Sequence, residues 1–281
     1  ISMCSMDRAS GRHTNTNSNT NSNTNSKKIG FFTFVRKPLD HVYSQYLECR
    51  DAPWGLKTTN KAFPRGNTVQ EGLAEWVEYY MASPIPANNF NCYHPFNFQT
   101  RQLSDRCFGK SGKNGYLDVN EDDLEVAKRH IQDLMFVGIL EHFEASLCIL
   151  MHKLNAAKFL EKYCVGLTKE EWAGLGDAKA HESHGIEKHS VADIPLGVKA
   201  KMNNLVAYDD LVYQFALANF LEEVKAYESE TGYSLTHLID PGPATTAATG
   251  TSTGTGVSSP VKDEPQSSSP KPPPSCLPEW A

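Results

Sequence analysis

Residues 29–35 read IGFFTFV, a continuous apolar run of the kind that fills a buried central strand of a parallel sheet. A helical pattern follows at once. Pro38 suits a first helical turn, and Leu39, Val42, Tyr43, Tyr46 and Leu47 recur at i, i+3, i+4, i+7 and i+8. Thr68 and Glu71 have capping-box spacing ahead of Leu73, Trp76, Val77, Tyr80 and Met81, which predicts a second amphipathic helix ending before Pro84. Residues 84–119 are rich in Asn, Pro and Gly and predict a long irregular connection, the kind of loop that tends to carry function. A helix from about Asp122 to Leu134 leads into MFVGI, residues 135–139, a second buried strand. Two more helices are predicted, one through Phe143, Leu147, Leu150, Met151 and Leu154, the other through Leu211, Phe215, Ala216, Phe220 and Val224. Short apolar strands alternating with amphipathic helices indicate an α/β layered domain built on a parallel sheet.

Both ends of the chain depart from this pattern. Residues 14–26 read TNTNSNTNSNTNS, with nothing to bury, and from Pro241 onward the chain is dominated by Pro, Gly, Ser and Thr. The expected organisation is a disordered, low-complexity stretch over 1–26, one α/β domain over 27–240, and a disordered tail over 241–281. The 281 residues carry a net charge of −6, which argues against nucleic acid as a partner while leaving room for a local basic site. No apolar run in the sequence approaches the about 20 residues of a membrane span, and nothing in it reads as a signal peptide, which says little about location because the true N-terminus is expected to be missing. Seven cysteines, at 4, 49, 92, 107, 148, 164 and 276, include no CxxC pair and point neither to zinc nor to a small disulfide scaffold. There is no Asn-x-Ser/Thr sequon.

The candidate chemistry sits where the first strand meets its helix. Arg36 follows the apolar run, and in open α/β sheets ligands lie outside the carboxyl ends of the strands. A guanidinium there can hold a phosphate bidentately, with N–H groups of the next helix aimed at the same anion and the Ser44 hydroxyl as a further donor. The competing assignment pairs Arg36 with Asp40 or another carboxylate and leaves Ser44 as a surface serine.

Arg36-x-Pro-Leu-Asp-x-x-x-Ser44 after an apolar strand resembles the 3′-phosphate-binding motif of sulfotransferases that use 3′-phosphoadenosine 5′-phosphosulfate, especially the Golgi carbohydrate and heparan sulfate group. Three further segments are similar to that family in the same order. They are NFQTRQL at 97–103, DDLEVAKRHI with FVGILEHFEASL across 122–147, and NNLVAYDDLVYQFA at 203–216. The resemblance covers about residues 29–222 and implies a P-loop-NTPase-like parallel sheet flanked by helices. It also implies that Arg36 and Ser44 hold the 3′-phosphate of the sulfate donor, that the acceptor is a carbohydrate or glycan, and that no metal is needed. Gln99, Arg101, Glu141 and Ser146 match as fold signatures without assigned chemistry. The implied location is the Golgi lumen, with a membrane anchor upstream.

One family element has no counterpart. A strand followed by a lysine-bearing Gly/Thr/Ser-rich turn for the 5′-phosphosulfate should precede the Arg-to-Ser element, and nothing of the kind precedes Ile29. The chain opens on Ile1 rather than methionine and is expected to be truncated. Gly109-Lys110-Ser111 does not substitute, because Ser104 stands where a P-loop needs glycine and the flanks suit neither strand nor helix. The catalytic base is unassigned, with His13 as the sole candidate, on spacing alone. His181, Glu182, His184 and His189 lack metal-ligand spacing. Arg101, Arg106, Lys110 and Lys113 form a candidate groove for an anionic glycan, against the commoner solvated-loop assignment.

The expected activity is sulfuryl transfer to a carbohydrate hydroxyl or amine. The alternative is a non-catalytic nucleotide-binding fragment, or an adaptor whose Pro270–Pro273 tail meets an SH3-like domain. A P-loop kinase is disfavoured by the Arg-to-Ser element and by the lack of a Walker lysine.

Overall fold

The computed structural model describes residues 30–82, 90–104, 119–174, 186 and 189–239, all within the first of the two units into which the chain divides, Ile1–Asp240 and Pro241–Ala281. Two strands, β1 (Phe32–Val35) and β2 (Phe136–Ile139), are joined by helices α1 (Pro38–Asp51), α2 (Pro53–Thr58), α3 (Val69–Ala82), α4 (Phe98–Leu103) and α5 (Glu121–Asp133). After β2 come α6 (Phe143–Lys153), α7 (Ala157–Phe159), α8 (Lys169–Gly174), α9 (Leu196–Leu205) and α10 (Ala207–Thr231). Among the described residues the fold is thus mostly helical, with a small two-stranded parallel sheet, and is compatible with the α/β class.

β1 and β2 pair in parallel, with Phe32 opposite Phe136 and Val35 opposite Ile139. All four residues of β2 are buried, but in β1 only Val35 is, and Phe32 is 49% exposed. Among the described residues β1 is therefore not the buried central strand that its apolar run predicts: with a single neighbouring strand its other edge and part of its face stay open. Phe34 faces Gly138 across the ladder. A Cβ on Gly138 would sit 2.5 Å from the Phe34 ring, so the glycine makes room for that ring beside Phe136 and Phe143. One core packs the two strands against α5, α6 and α10, through Ile131, Ile149, Val212 and Phe220. A second lies between α1, α3 and α9, built on Tyr46, Trp76, Tyr80, Met202 and Leu205. The α1 stripe read from sequence enters this second core, so the helix carrying Ser44 is held by packing rather than by propensity alone.

The predicted capping box forms: Thr68 Oγ1 accepts from Glu71 N at 3.1 Å and Glu71 accepts from Thr68 N at 3.2 Å. Within the connection expected to be irregular lies the short helix α4. The late helical stretch is broken at Val206 into α9 and α10.

Two disulfides, unanticipated from spacing, cross-link the domain. Cys49 in α1 bonds Cys92, and Cys148 in α6 bonds Cys164. All three of Cys49, Cys148 and Cys164 are buried. Among the described residues no helix is long and apolar enough to cross a membrane.

Candidate functional site at the end of the first strand

Two residues, Arg36 and Lys37, connect the end of β1 to the start of α1. Their backbone is gripped by side chains from two distant parts of the chain. Arg36 N donates to Gln99 Oε1 at 2.9 Å, and Gln99 Nε2 donates back to Arg36 O at 2.8 Å. Lys37 N donates to Glu141 Oε1 at 2.8 Å, while Glu141 Oε2 accepts from the Tyr213 hydroxyl at 3.1 Å. Glu141 lies just past the carboxyl end of β2, so both strand ends converge on this turn.

This arrangement corrects one expectation. The amides of Arg36 and Lys37 are occupied by side chains and Pro38 has no N–H, so of the backbone donors at this turn only the first-turn amides of Leu39 and Asp40 are left for an anion. The next amide, His41 N, already donates to Lys37 O at 3.0 Å.

Gln99 owes its position to reciprocal capping. Asn97, with φ 39° in the left-handed region, opens α4, and its Oδ1 accepts from Tyr208 N at 2.8 Å and Asp209 N at 3.3 Å. Those are the second and third amides of α10. Asp209 returns the contact: its carboxylate accepts from Gln99 N at 3.1 Å and from Thr100 N and Thr100 Oγ1 at 2.7 Å each, capping the start of α4. Asp209 is 1% exposed. Burial pushes its carboxyl up to about 6, against the pull of these hydrogen bonds.

Arg101 is likewise structural, which removes it from the proposed glycan groove. It is buried, donating from Nε to Phe96 O and from Nη2 to His94 O, each at 2.7 Å. Ser146 closes β2, accepting from Ile139 N at 2.9 Å and donating to Ile139 O at 3.0 Å. Ser146→Ala leaves both buried backbone groups without that partner and is expected to lower stability by about 1–3 kcal/mol in urea denaturation. A change below about 0.5 kcal/mol would show that the serine adds nothing there.

The Arg36 guanidinium and the Ser44 hydroxyl are left. Neither has a hydrogen-bonded partner among the described residues, and Arg36 does not pair with Asp40. Ser44 is 9% exposed, so it is not a surface serine. Between them in sequence lies His41, partly buried, its ring edge-on to Phe98 at 5.3 Å. Burial and then the Arg36 charge lower the His41 imidazole to about 4. Sequence reasoning passed over this histidine, and its one signal was the i, i+3 spacing to Ser44.

His13, the Gly109–Ser111 stretch, Arg106, Lys113, His181, Glu182 and His184 lie outside the described residues. His189 packs edge-on against Tyr43 at 5.1 Å. No family model, curated protein or solved structure matches the chain.

Proposed function

We propose that this domain binds 3′-phosphoadenosine 5′-phosphosulfate, with Arg36 and Ser44 on its 3′-phosphate, and serves sulfuryl transfer to a carbohydrate hydroxyl or amine in a P-loop-NTPase-like fold. One observation carries the reading. The segments that resemble the family, around Gln99, Glu141, Asp209 and Tyr213, are spent on fixing the Arg36–Lys37 turn, while the Arg36 guanidinium and Ser44 hydroxyl have no partner among the described residues. A strand-end guanidinium and a hydroxyl on the helix that begins two residues later, both without a partner among the described residues, suit an anionic ligand. The disulfides Cys49–Cys92 and Cys148–Cys164 support a lumenal, oxidising location such as the Golgi.

In the transfer itself the acceptor oxygen or nitrogen attacks sulfur in line, the bond from sulfur to the 5′-phosphate oxygen breaks, and a base removes the acceptor proton. The residues described here supply the 3′-phosphate end of that arrangement.

Calorimetric titration with adenosine 3′,5′-bisphosphate against adenosine 5′-monophosphate tests the reading, together with transfer of labelled sulfate from the donor to a panel of glycans. A preference of about tenfold or more for the bisphosphate is expected, because the 3′-phosphate adds charge-assisted contacts. Equal affinity for the two nucleotides would overturn it. Binding with the expected preference but no transfer would favour the nucleotide-binding alternative.

A further inference from the structure

We infer that His41 is a third side chain on the same phosphate and takes up a proton as the anion binds, so that nucleotide affinity rises as pH falls. The inference rests on the proposed 3′-phosphate site and adds to it a residue and a regulation.

Geometry carries it first. His41 is five residues past Arg36 and three before Ser44 on α1, which puts its side chain on the same helical face as that hydroxyl. Its ring is fixed by Phe98 of α4 at 5.3 Å. Ser44 is nine-tenths buried without a partner among the described residues, and the next residue, Gln45, is 3% exposed with both amide atoms unpartnered. A hydroxyl and an amide without partners among the described residues, on the helix that begins two residues after Arg36, are donors that an oxyanion can satisfy.

The charges around His41 then decide when it is protonated. Arg36 is the cation that bears on it, and together with burial it holds the empty site's imidazole neutral. Lys37, just before α1, and Asp40, on it, flank His41 in sequence. On α4, Arg101 lies over the Phe98 ring at 5.8 Å, with its guanidinium engaged by the carbonyls of His94 and Phe96. On α10, Asp209 is engaged by Gln99 and Thr100, and Tyr213 by Glu141. Glu48, two turns further along α1, accepts from the Tyr93 hydroxyl at 3.2 Å. A phosphate on Arg36 offsets the one charge that repels the imidazolium and adds a dianion that attracts it. The proton affinity of His41 therefore rises on binding, and by linkage acid tightens binding.

The test is calorimetric titration with adenosine 3′,5′-bisphosphate at pH 5.5, 6.5 and 8.0, in buffers of different ionisation enthalpy. Wild type, His41→Gln and His41→Lys are compared. Titration of the ligand's own phosphates is common to all three, so differences between them read His41. Wild type is expected to bind about tenfold more tightly than His41→Gln at pH 5.5, and within about twofold at pH 8.0. It should also take up close to one proton more at pH 5.5. His41→Lys keeps the cation without titrating in this range and should bind tightly at all three pH values. Histidine NMR on wild type is independent of any variant: the His41 ring signal at pH 6 should move toward the imidazolium position on saturation. Matching pH profiles and proton uptake in wild type and His41→Gln, or an unmoved ring signal, would overturn the inference. If Arg36→Ala weakens binding while His41→Gln behaves as wild type, the phosphate site stands and this inference alone fails. If wild type does not bind the nucleotide at any pH, both fall.

Discussion

Arg36→Ala is expected to weaken binding of adenosine 3′,5′-bisphosphate by about one to two decades, the effect of losing a charge-assisted phosphate contact of roughly 1.5–3 kcal/mol. Its fold should survive, because the parts of Arg36 that hold the structure together are backbone ones: its N–H and carbonyl bond Gln99, whereas its guanidinium has no partner among the described residues. Ser44→Ala should cost less, since a neutral hydroxyl gives a weaker bond to phosphate than a guanidinium does. Calorimetry on the three proteins, with urea denaturation as a control for folding, separates the outcomes. Unchanged affinity in Arg36→Ala at unchanged stability would remove the phosphate assignment. Equal losses in affinity and stability would recast Arg36 as a structural residue.

The parts of this molecule that were legible in the sequence are those in which local pattern and tertiary packing agree. IGFFTFV and MFVGI read as buried strands, and they pair as β1 and β2, but only β2 is buried throughout. The α1 stripe and the Thr68–Glu71 capping box read as helix signals, and both act as such. Helix α4 was not legible. It has six residues, with apolar positions at Phe98 and Leu103 alone, and its first amides are satisfied by a carboxylate more than a hundred residues away in sequence. The break at Val206 was hidden for the same reason. No Pro or Gly marks it, because the cap of α10 is supplied in trans by Asn97. The disulfides also depend on three-dimensional proximity: Cys49 and Cys92 are 43 residues apart in sequence, with their Cα atoms 6.0 Å apart. At the candidate site, the residue types and their order could be read from the chain. Which of their atoms remain unused could not, since that depends on Gln99 and Glu141 reaching the Arg36–Lys37 turn first.

Asp209→Ala is expected to be among the most damaging single substitutions in the domain. The carboxylate accepts from two backbone amides and a hydroxyl, all at the start of α4, and it is almost fully buried. Alanine strands three donors where water has little access, a loss of about 3–5 kcal/mol. Against a typical total of about 5–15 kcal/mol, that brings the fold near its limit. Nucleotide binding should fall with it even in the folded fraction, because α4 carries the Gln99 side chain that clamps Arg36. Asp209→Asn is milder, keeping an oxygen for Thr100 while turning an amide toward the Gln99 N–H, and it exposes a pH signature. The native carboxyl titrates near 6, above its ordinary 3.8. The folded protein therefore holds a proton that the unfolded chain has released, and this contribution to stability is complete below 3.8 and lost as pH rises through about 6. Wild type should accordingly gain on Asp209→Asn by about 1 kcal/mol between pH 7 and pH 5, whereas His41, held low at about 4, shifts both proteins alike. Urea denaturation of the pair at the two pH values measures the gap. A gap that stays constant would mean that the carboxyl is ionised throughout and that its hydrogen bonds outweigh its burial.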